Sequence, residues 1–148
     1  MAALTADKVT RRLAQRQAIA MTVPVAATEV IFMGSLVSVK NGLGTPAVAS
    51  DAGDYCLVAI EYKSNAAGAA AAVTVNCERD SIYEFTFDVA DLGRADIGAT
   101  VYAVDDQTAS KTSGTNTPIG KIFRLDDDYV EGSCGIAWVL VEGEMASI

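Results

Sequence analysis

The chain has 148 residues, of which 51% are hydrophobic and 20% are charged, with a net charge of −8 and no histidine. This length suits one compact domain, and no apolar run approaches the ~20 residues that a membrane-spanning helix needs. Because histidine is the commonest general base at neutral pH and the commonest transition-metal ligand, its absence leads us to expect no conventional catalytic triad, no metal site and no cofactor.

Residues 1–29 differ in kind from the rest of the chain. They are rich in Ala, Thr and basic residues, and they show no alternation of apolar and polar side chains. A helix beginning at Thr5 would have only Val9 and Leu13 on its apolar face, a stripe too thin to hold a helix in place. We therefore predict an extended N-terminal arm over residues 1–29 and a β domain over residues 30–148.

The clearest alternation in the chain lies at residues 82–88, where every second side chain is aromatic. In a β-strand these aromatic side chains would face a core while the intervening ones face water. The aromatic residues are Tyr83, Phe85 and Phe87. Residues 72–78 alternate in the same way, so we predict two strands that form a hairpin around residues 79–81.

Other apolar runs also predict strands, and several are apolar on both faces, as expected of strands between two layers. These runs are VIFMGSLVSV (30–39), YCLVAIEY (55–62), ATVYAVD (99–105), IGKIFRL (119–125) and GIAWVLVE (135–142). The segments between them are rich in Gly, Asn, Asp and Ser, which supply turn geometry. About seven short strands with frequent turns predict a mainly β fold, either a compact antiparallel β-sandwich or a small β-barrel.

The cysteines fit a structural role better than a catalytic one. Cys56, Cys77 and Cys134 lie in or beside apolar runs, and we predict that they are reduced and buried. The sequence GSCG at residues 132–135 resembles a nucleophile turn. Since the chain has no histidine to activate the thiol, we interpret it as a turn that leads into a core strand.

Two acidic clusters contain oxygen ligands of the kind that Ca²⁺ binds: Asp105–Asp106, and residues 126–128 with Glu131. Their spacing matches no EF-hand loop, and Asp commonly terminates strands, so we predict solvated turns at both places. A carboxylate-based glycan hydrolase is an alternative function, because two of the 19 acidic residues at a suitable separation would supply that chemistry. Nothing in the sequence singles out such a pair.

Charge is unevenly distributed along the chain. Residues 1–20 carry four basic side chains and one acidic side chain, whereas residues 21–148 carry seven basic and 18 acidic side chains, which gives net charges of +3 and −11. A body of this charge repels nucleic-acid phosphates, so we expect no direct contact with nucleic acid. Only the arm can meet an acidic partner. Its charges also argue against a secretory signal, and we expect an intracellular origin.

Five segments between residues 20 and 142 occur in a particular order. They are VPVAA (23–27), GSLVSV (34–39), ADIGATVYAVDDQT (95–108), PIGKIF (118–123) and GIAWVLV (135–141). This order resembles that of the structural cement, or decoration, proteins of tailed-phage capsids. The most specific pieces are TVYAVDDQT, preceded by Gly98, and the strand that begins Pro118-Ile119-Gly120. The acidic turn at residues 126–132 and Trp138 depart from the commoner pattern.

The resemblance implies a β domain without catalytic activity that binds the outer surface of an assembled phage head and bridges subunits of the major capsid protein. It also implies a homo-oligomer, for which we favour a trimer over a dimer. Such a protein would be made in the host cytoplasm and located on the capsid exterior of the virion. We expect the arm to contact the capsid through Leu4, Val9, Arg11, Arg12, Leu13, Arg16 and Ile19. Another virion component, such as a tail or head-fibre module, is the main alternative.

Overall fold

The computed structural model describes residues 3–10 and 12–142, without the side chains of residues 12–18. Strands dominate this part of the chain, and its one helical element is a 3-10 turn at Arg94–Asp96, so the fold is mainly β as predicted. The strands are β1 Arg12–Pro24, β2 Val30–Ile31, β3 Leu36–Lys40, β4 Leu43–Pro46, β5 Tyr55–Ala59, β6 Lys63–Ser64, β7 Thr74–Phe87, β8 Thr100–Ala103, β9 Thr108–Ser110, β10 Thr117–Leu125 and β11 Ile136–Val141.

Five strands close into a barrel around the larger of two hydrophobic cores. Strand β7 pairs with β11, β11 with β10, β10 with β8 and β8 with β9, and β9 then returns to β7. All these pairings are antiparallel except that of β9 with β7. The predicted aromatic face of β7 points into this barrel core, where it meets Val101, Ile119 and Val139 from the other strands. The inward orientation of these aromatic side chains is therefore confirmed.

The outer strands curve around a second core. Strands β1 and β5 both pair with β7, β3 pairs with β5, and β4 pairs with β3. Strand β4 comes back to the end of β1 through a parallel bridge between Val25 and Gly44. The second core consists of Val23, Val25, Ile31, Val37, Val39, Leu57, Ala59, Val75 and Cys77. The short strands β2 and β6 form a separate two-stranded ribbon.

Strands β3 and β5 lie between the two cores, which explains why their sequences are apolar on both faces. Leu36 and Val58 pack in the barrel core. Val37 and Leu57, their neighbours in sequence, pack in the second core because side chains alternate across a strand. The prediction that such strands lie between layers is confirmed for these two.

The predicted hairpin around residues 79–81 is wrong, because residues Thr74–Phe87 form the single strand β7. Asp80 has a φ of 59° and so introduces an irregularity without reversing the chain. Strand β1 pairs across this point, with Ile19 opposite Arg79 and Gln15 opposite Ser81. These backbone pairings keep the chain extended although its polar sequence predicts a turn.

The segment predicted as an arm contains the first strand of the sheet. Residues 12–24 form β1 and pair with β7, and Val23 and Val25 are buried in the second core. A helix beginning at Thr5 cannot continue into residues 12–24, because the backbone groups there bond to a neighbouring strand. The described residues contain 11 strands where about seven were predicted. The short strands β4, β6 and β9 lie in segments whose composition predicted turns.

Candidate protein-binding site

Residues 3–10, here called the N-terminal strap, lie against the body of their own chain. The backbone N–H of Leu4 donates to Oδ1 of Asp106 at 2.8 Å. The backbone N–H of Lys8 donates to the carbonyl oxygen of Met33, also at 2.8 Å. Because these contacts are four residues apart, they fix the course of the strap along most of its length.

The loop between β2 and β3 makes the remaining strap contacts. The N–H of Met33 donates to Oδ1 of Asp7 at 2.9 Å, and the hydroxyl of Thr10 donates to the carbonyl oxygen of Gly34 at 2.6 Å. Gly34 has a φ of +87°, in the left-handed region that favours glycine, and a Cβ atom there would lie 2.0 Å from the carbonyl oxygen of Lys8. Glycine is therefore what allows the strap to approach the loop so closely.

Asp106 is the buried acceptor for the start of the strap. The residue is 2% exposed. Burial raises the pKa of its carboxyl, an effect that the Leu4 N–H opposes and the nearby Asp105 reinforces. Its backbone carbonyl accepts the N–H of Leu36 at 2.8 Å, which connects this turn to β3. The prediction of a solvated turn at Asp105–Asp106 is wrong, since both residues are buried where the strap and β3 meet the turn.

A groove of about 550 Å³, here called the strap groove, lies beside the strap. It is lined by Lys8, Val9, Thr10, Met33, Gly34, Val58, Ala59, Ile60, Glu78 and Tyr83. Two of the lining residues are exposed apolar side chains, Val9 at 80% and Ile60 at 40%, and Tyr62, two residues after Ile60, is 49% exposed. The ring of Tyr62 also packs against that of Phe32, with centroids 5.6 Å apart. Exposed apolar side chains around a concave surface are typical of a site that binds another protein.

Three of the residues predicted to contact a capsid have described side chains. Val9 lines the strap groove, and Ile19 is 40% exposed on β1. Leu4 is partly buried. Of the remaining predicted contacts, Arg12, Leu13 and Arg16 lie in β1 without described side chains, and Arg11 lies outside the described residues. The predicted role of these residues in capsid binding stays a prediction.

Sequence reasoning missed the contributions of Ile60 and Tyr62 to this surface. Residues 55–62 were expected to form one strand, but β5 ends at Ala59. The N–H of Ile60 still bonds to the carbonyl oxygen of Asn76 in β7, but the side chains of Ile60 and Tyr62 are exposed. The signal in the sequence was weak, because an apolar residue just beyond the end of a buried strand is indistinguishable from one more strand residue.

A second cavity, of about 300 Å³, lies at the acidic turn after β10. Asp126, Asp128, Tyr129 and Cys134 are among its lining residues. The thiol of Cys134 donates to the carbonyl oxygen of Ile136 at 3.0 Å, and Cys134 is buried. Cys134 thus lies where the turn leads into β11, as the sequence predicted.

All three cysteines are free and buried, which confirms the sequence prediction. Burial, reinforced by the charge of Glu61, raises the pKa of the Cys77 thiol to about 12. Burial, with a contribution from Asp51, raises the pKa of the Cys56 thiol further still. Since the thiolate is the nucleophile, neither of these two residues is activated for covalent chemistry.

Within residues 3–10 and 12–142, no group of three or more Cys, Asp and Glu side chains is placed to hold a metal ion. The same part of the chain contains no helix with the length and apolarity required to span a bilayer. Comparisons of the sequence and structure with protein-family models, curated proteins and solved structures found no match in any of the three.

Proposed function

We propose that this protein is a decoration, or cement, protein of a tailed-phage head. In this role it binds the outer surface of the assembled capsid without catalysis and stabilises contacts between subunits of the major capsid protein. The observation that carries the proposal is the exposed apolar surface of Val9 and Ile60, which both line the strap groove. Such a grouping on a soluble domain is best explained by a protein partner.

The segments that resemble cement proteins also form one connected framework. VPVAA ends β1 and reaches β4 through Val25, and GSLVSV forms β3. Leu36 of β3 donates its N–H to Asp106, in the turn of TVYAVDDQT. The strands of PIGKIF and GIAWVLV pair with each other, and PIGKIF also pairs with β8. A resemblance confined to unrelated surface loops would support the proposal less well.

The distribution of charge supports a position on the outside of the head. Residues 21–148 have a net charge of −11, which opposes contact with packaged DNA. The first 20 residues have a net charge of +3 and favour an acidic protein surface. A homo-oligomer, for which we favour a trimer, gains avidity because each additional contact forms at a high effective concentration.

Binding to purified phage heads that lack this protein tests the proposal. Tagged protein should cosediment with the heads, and electron microscopy should show the tag over the whole head. Labelling confined to one vertex or to the tail would instead identify a fibre or tail module. Absence of binding to either heads or tails would refute a virion role.

Two surface variants test whether the strap groove makes the contact. Val9→Asp combined with Ile60→Asp places charges at exposed positions of the groove and should reduce binding at least tenfold while leaving the fold intact. Val130→Asp is the matched control, because Val130 is 68% exposed but lines the separate cavity at the acidic turn. Equal binding by both variants would show that the capsid contact lies elsewhere.

A further inference from the structure

The docked strap forms one wall of the strap groove. Lys8, Val9 and Thr10 line the groove together with residues from the loop before β3, from the end of β5 and from β7. Val9, one of the two exposed apolar side chains on which the proposed function depends, therefore belongs to the strap. The groove has its present shape only while residues 8–10 lie against the body.

Few interactions hold the strap in this position. None of the side chains of residues 3–10 is buried. In the described chain, the strap bonds to the body through four hydrogen bonds, which involve Leu4, Asp7, Lys8 and Thr10. Fixing the backbone of these residues costs conformational entropy, which hydrogen bonds of modest net strength offset only narrowly. Docking of the strap is therefore sensitive to the loss of any one of these bonds.

Asp106 supplies the one body side chain among these four bonds, since the other three use backbone groups of Met33 and Gly34. It is 2% exposed, so water competes little for the N–H of Leu4, which lies 2.8 Å from its Oδ1. Burial raises the pKa of the Asp106 carboxyl, and the Leu4 N–H and the positive charge of Lys8 both oppose that increase. Asp106 thus attracts the strap at two positions, although it does not line the groove.

We infer that Asp106 is a positioning residue of the strap groove, which acts on the bound partner through the strap without touching that partner. Its carboxyl group holds the strap against the body, and the docked strap supplies a wall of the groove before the capsid protein binds. This inference rests on the proposed function and assigns a role in it to a residue outside the contact surface. A wall that is already in place spares the complex the cost of ordering the strap.

Three substitutions in one turn test this role. Asp106→Ala removes the acceptor of the Leu4 N–H, whereas Asp106→Asn keeps an oxygen acceptor there. Asp105→Ala is the matched control, because Asp105 is buried in the same turn but accepts the N–H of Gln107. We expect D106A to accelerate amide hydrogen exchange of Lys8, whose own hydrogen bond is unchanged, by roughly fivefold or more, and to weaken head binding by about threefold or more. D106N and D105A should stay within about twofold of wild type in both measurements.

A deletion separates positioning of the strap from damage to the body. Deletion of residues 2–10 removes the wall and should weaken head binding by about tenfold. In this shortened protein Asp106→Ala should cause no further loss of head binding, because the residue has no strap left to hold. A further loss as large as that in the full-length protein would overturn the inference, since Asp106 would then act through the body.

The remaining outcomes separate the inference from the function on which it rests. Exchange of the Lys8 amide at the wild-type rate in folded D106A overturns the positioning role, and this measurement needs no heads. Full head binding by the protein without residues 2–10 also overturns it but leaves the capsid proposal standing, and this result does not depend on whether D106A folds. Failure of the wild-type protein to bind heads overturns the proposed function itself.

Discussion

Gly120 lies where strands β10 and β11 of the barrel approach closely, and its replacement by alanine tests how strongly that approach is constrained. In β10, Gly120 pairs with Val141 of β11. A Cβ atom at this position would lie 1.8 Å from the carbonyl oxygen of Leu140, whereas ordinary contacts begin near 3.4 Å. The obstacle is backbone, so it cannot rotate away. Strands β10 and β11 must therefore separate by well over an ångström.

The cost of this separation follows from packing and hydrogen bonding. Overfilling a packed interior costs about 1–3 kcal/mol, and each weakened backbone hydrogen bond beside it costs about 1 kcal/mol. We expect Gly120→Ala to lower the free energy of unfolding by about 3–5 kcal/mol and the Tm by roughly 6–20 °C. Urea and thermal denaturation followed by circular dichroism measure both quantities.

Gly98→Ala is the matched control for this experiment. Gly98 has a φ of +90° with no atom within 4 Å of its virtual Cβ, so alanine there meets only the backbone cost of about 1–2 kcal/mol. Gly120 does not have a positive φ. We attribute the need for glycine at residue 120 to the close approach of two strands and not to backbone freedom. If G120A loses no more stability than G98A, this attribution is wrong.

Three further predictions concern the strap, its acceptor and the cysteines. Deletion of residues 2–10 removes only the strap and should leave the denaturation midpoint within a few degrees of wild type. Deletion of residues 2–20 also removes most of β1 and should lower the midpoint sharply. Equal midpoints for the two deletions would contradict the role of β1 in the sheet. Because the pKa of Asp106 is raised, the folded protein keeps the carboxyl proton at pH values where the unfolded chain has lost it. The contribution of Asp106 to the free energy of unfolding is therefore lost as pH rises through the raised pKa. Asp106→Asn removes that loss while keeping an oxygen acceptor for Leu4, so its stability relative to wild type should increase as pH rises above the ordinary Asp pKa of about 3.9 in urea titrations. A constant difference would argue against a raised pKa. The thiol of Cys77, with a pKa of about 12, should resist aromatic disulfide reagents at pH 8 until the protein is unfolded, and rapid reaction of the native protein would exclude its burial.

Local alternation predicted the strand faces well but not how strands are joined. The aromatic face of residues 83–87 is buried as expected, because period-2 patterning depends only on neighbouring residues. The reversal at residues 79–81 was wrong because β1, distant in sequence, pairs along both sides of that point. Closure of the barrel through the parallel pairing of β9 with β7 was also beyond prediction, since β9 has only three residues in a polar segment.

The candidate site was also predictable only in part, because it depends on contacts between residues that are far apart in the chain. Val9 was predicted from the sequence as one of the arm residues that contact a capsid, and the structure places it in the strap groove. The role of Asp106 was not, because adjacent aspartates after a strand normally predict a solvated turn. Its burial depends on contacts with Leu4 and Leu36, which are far from it in the chain. Local patterns carry no information about such long-range contacts.

The position of Asp106 connects the barrel to the strap. Asp106 lies in the turn between β8 and β9, and β9 is the strand that closes the barrel by pairing with β7. Its backbone carbonyl binds β3 and its carboxylate binds the strap. The bond from Leu36 does not involve the strap, so it connects the Asp106 turn to β3 independently of the bond to Leu4.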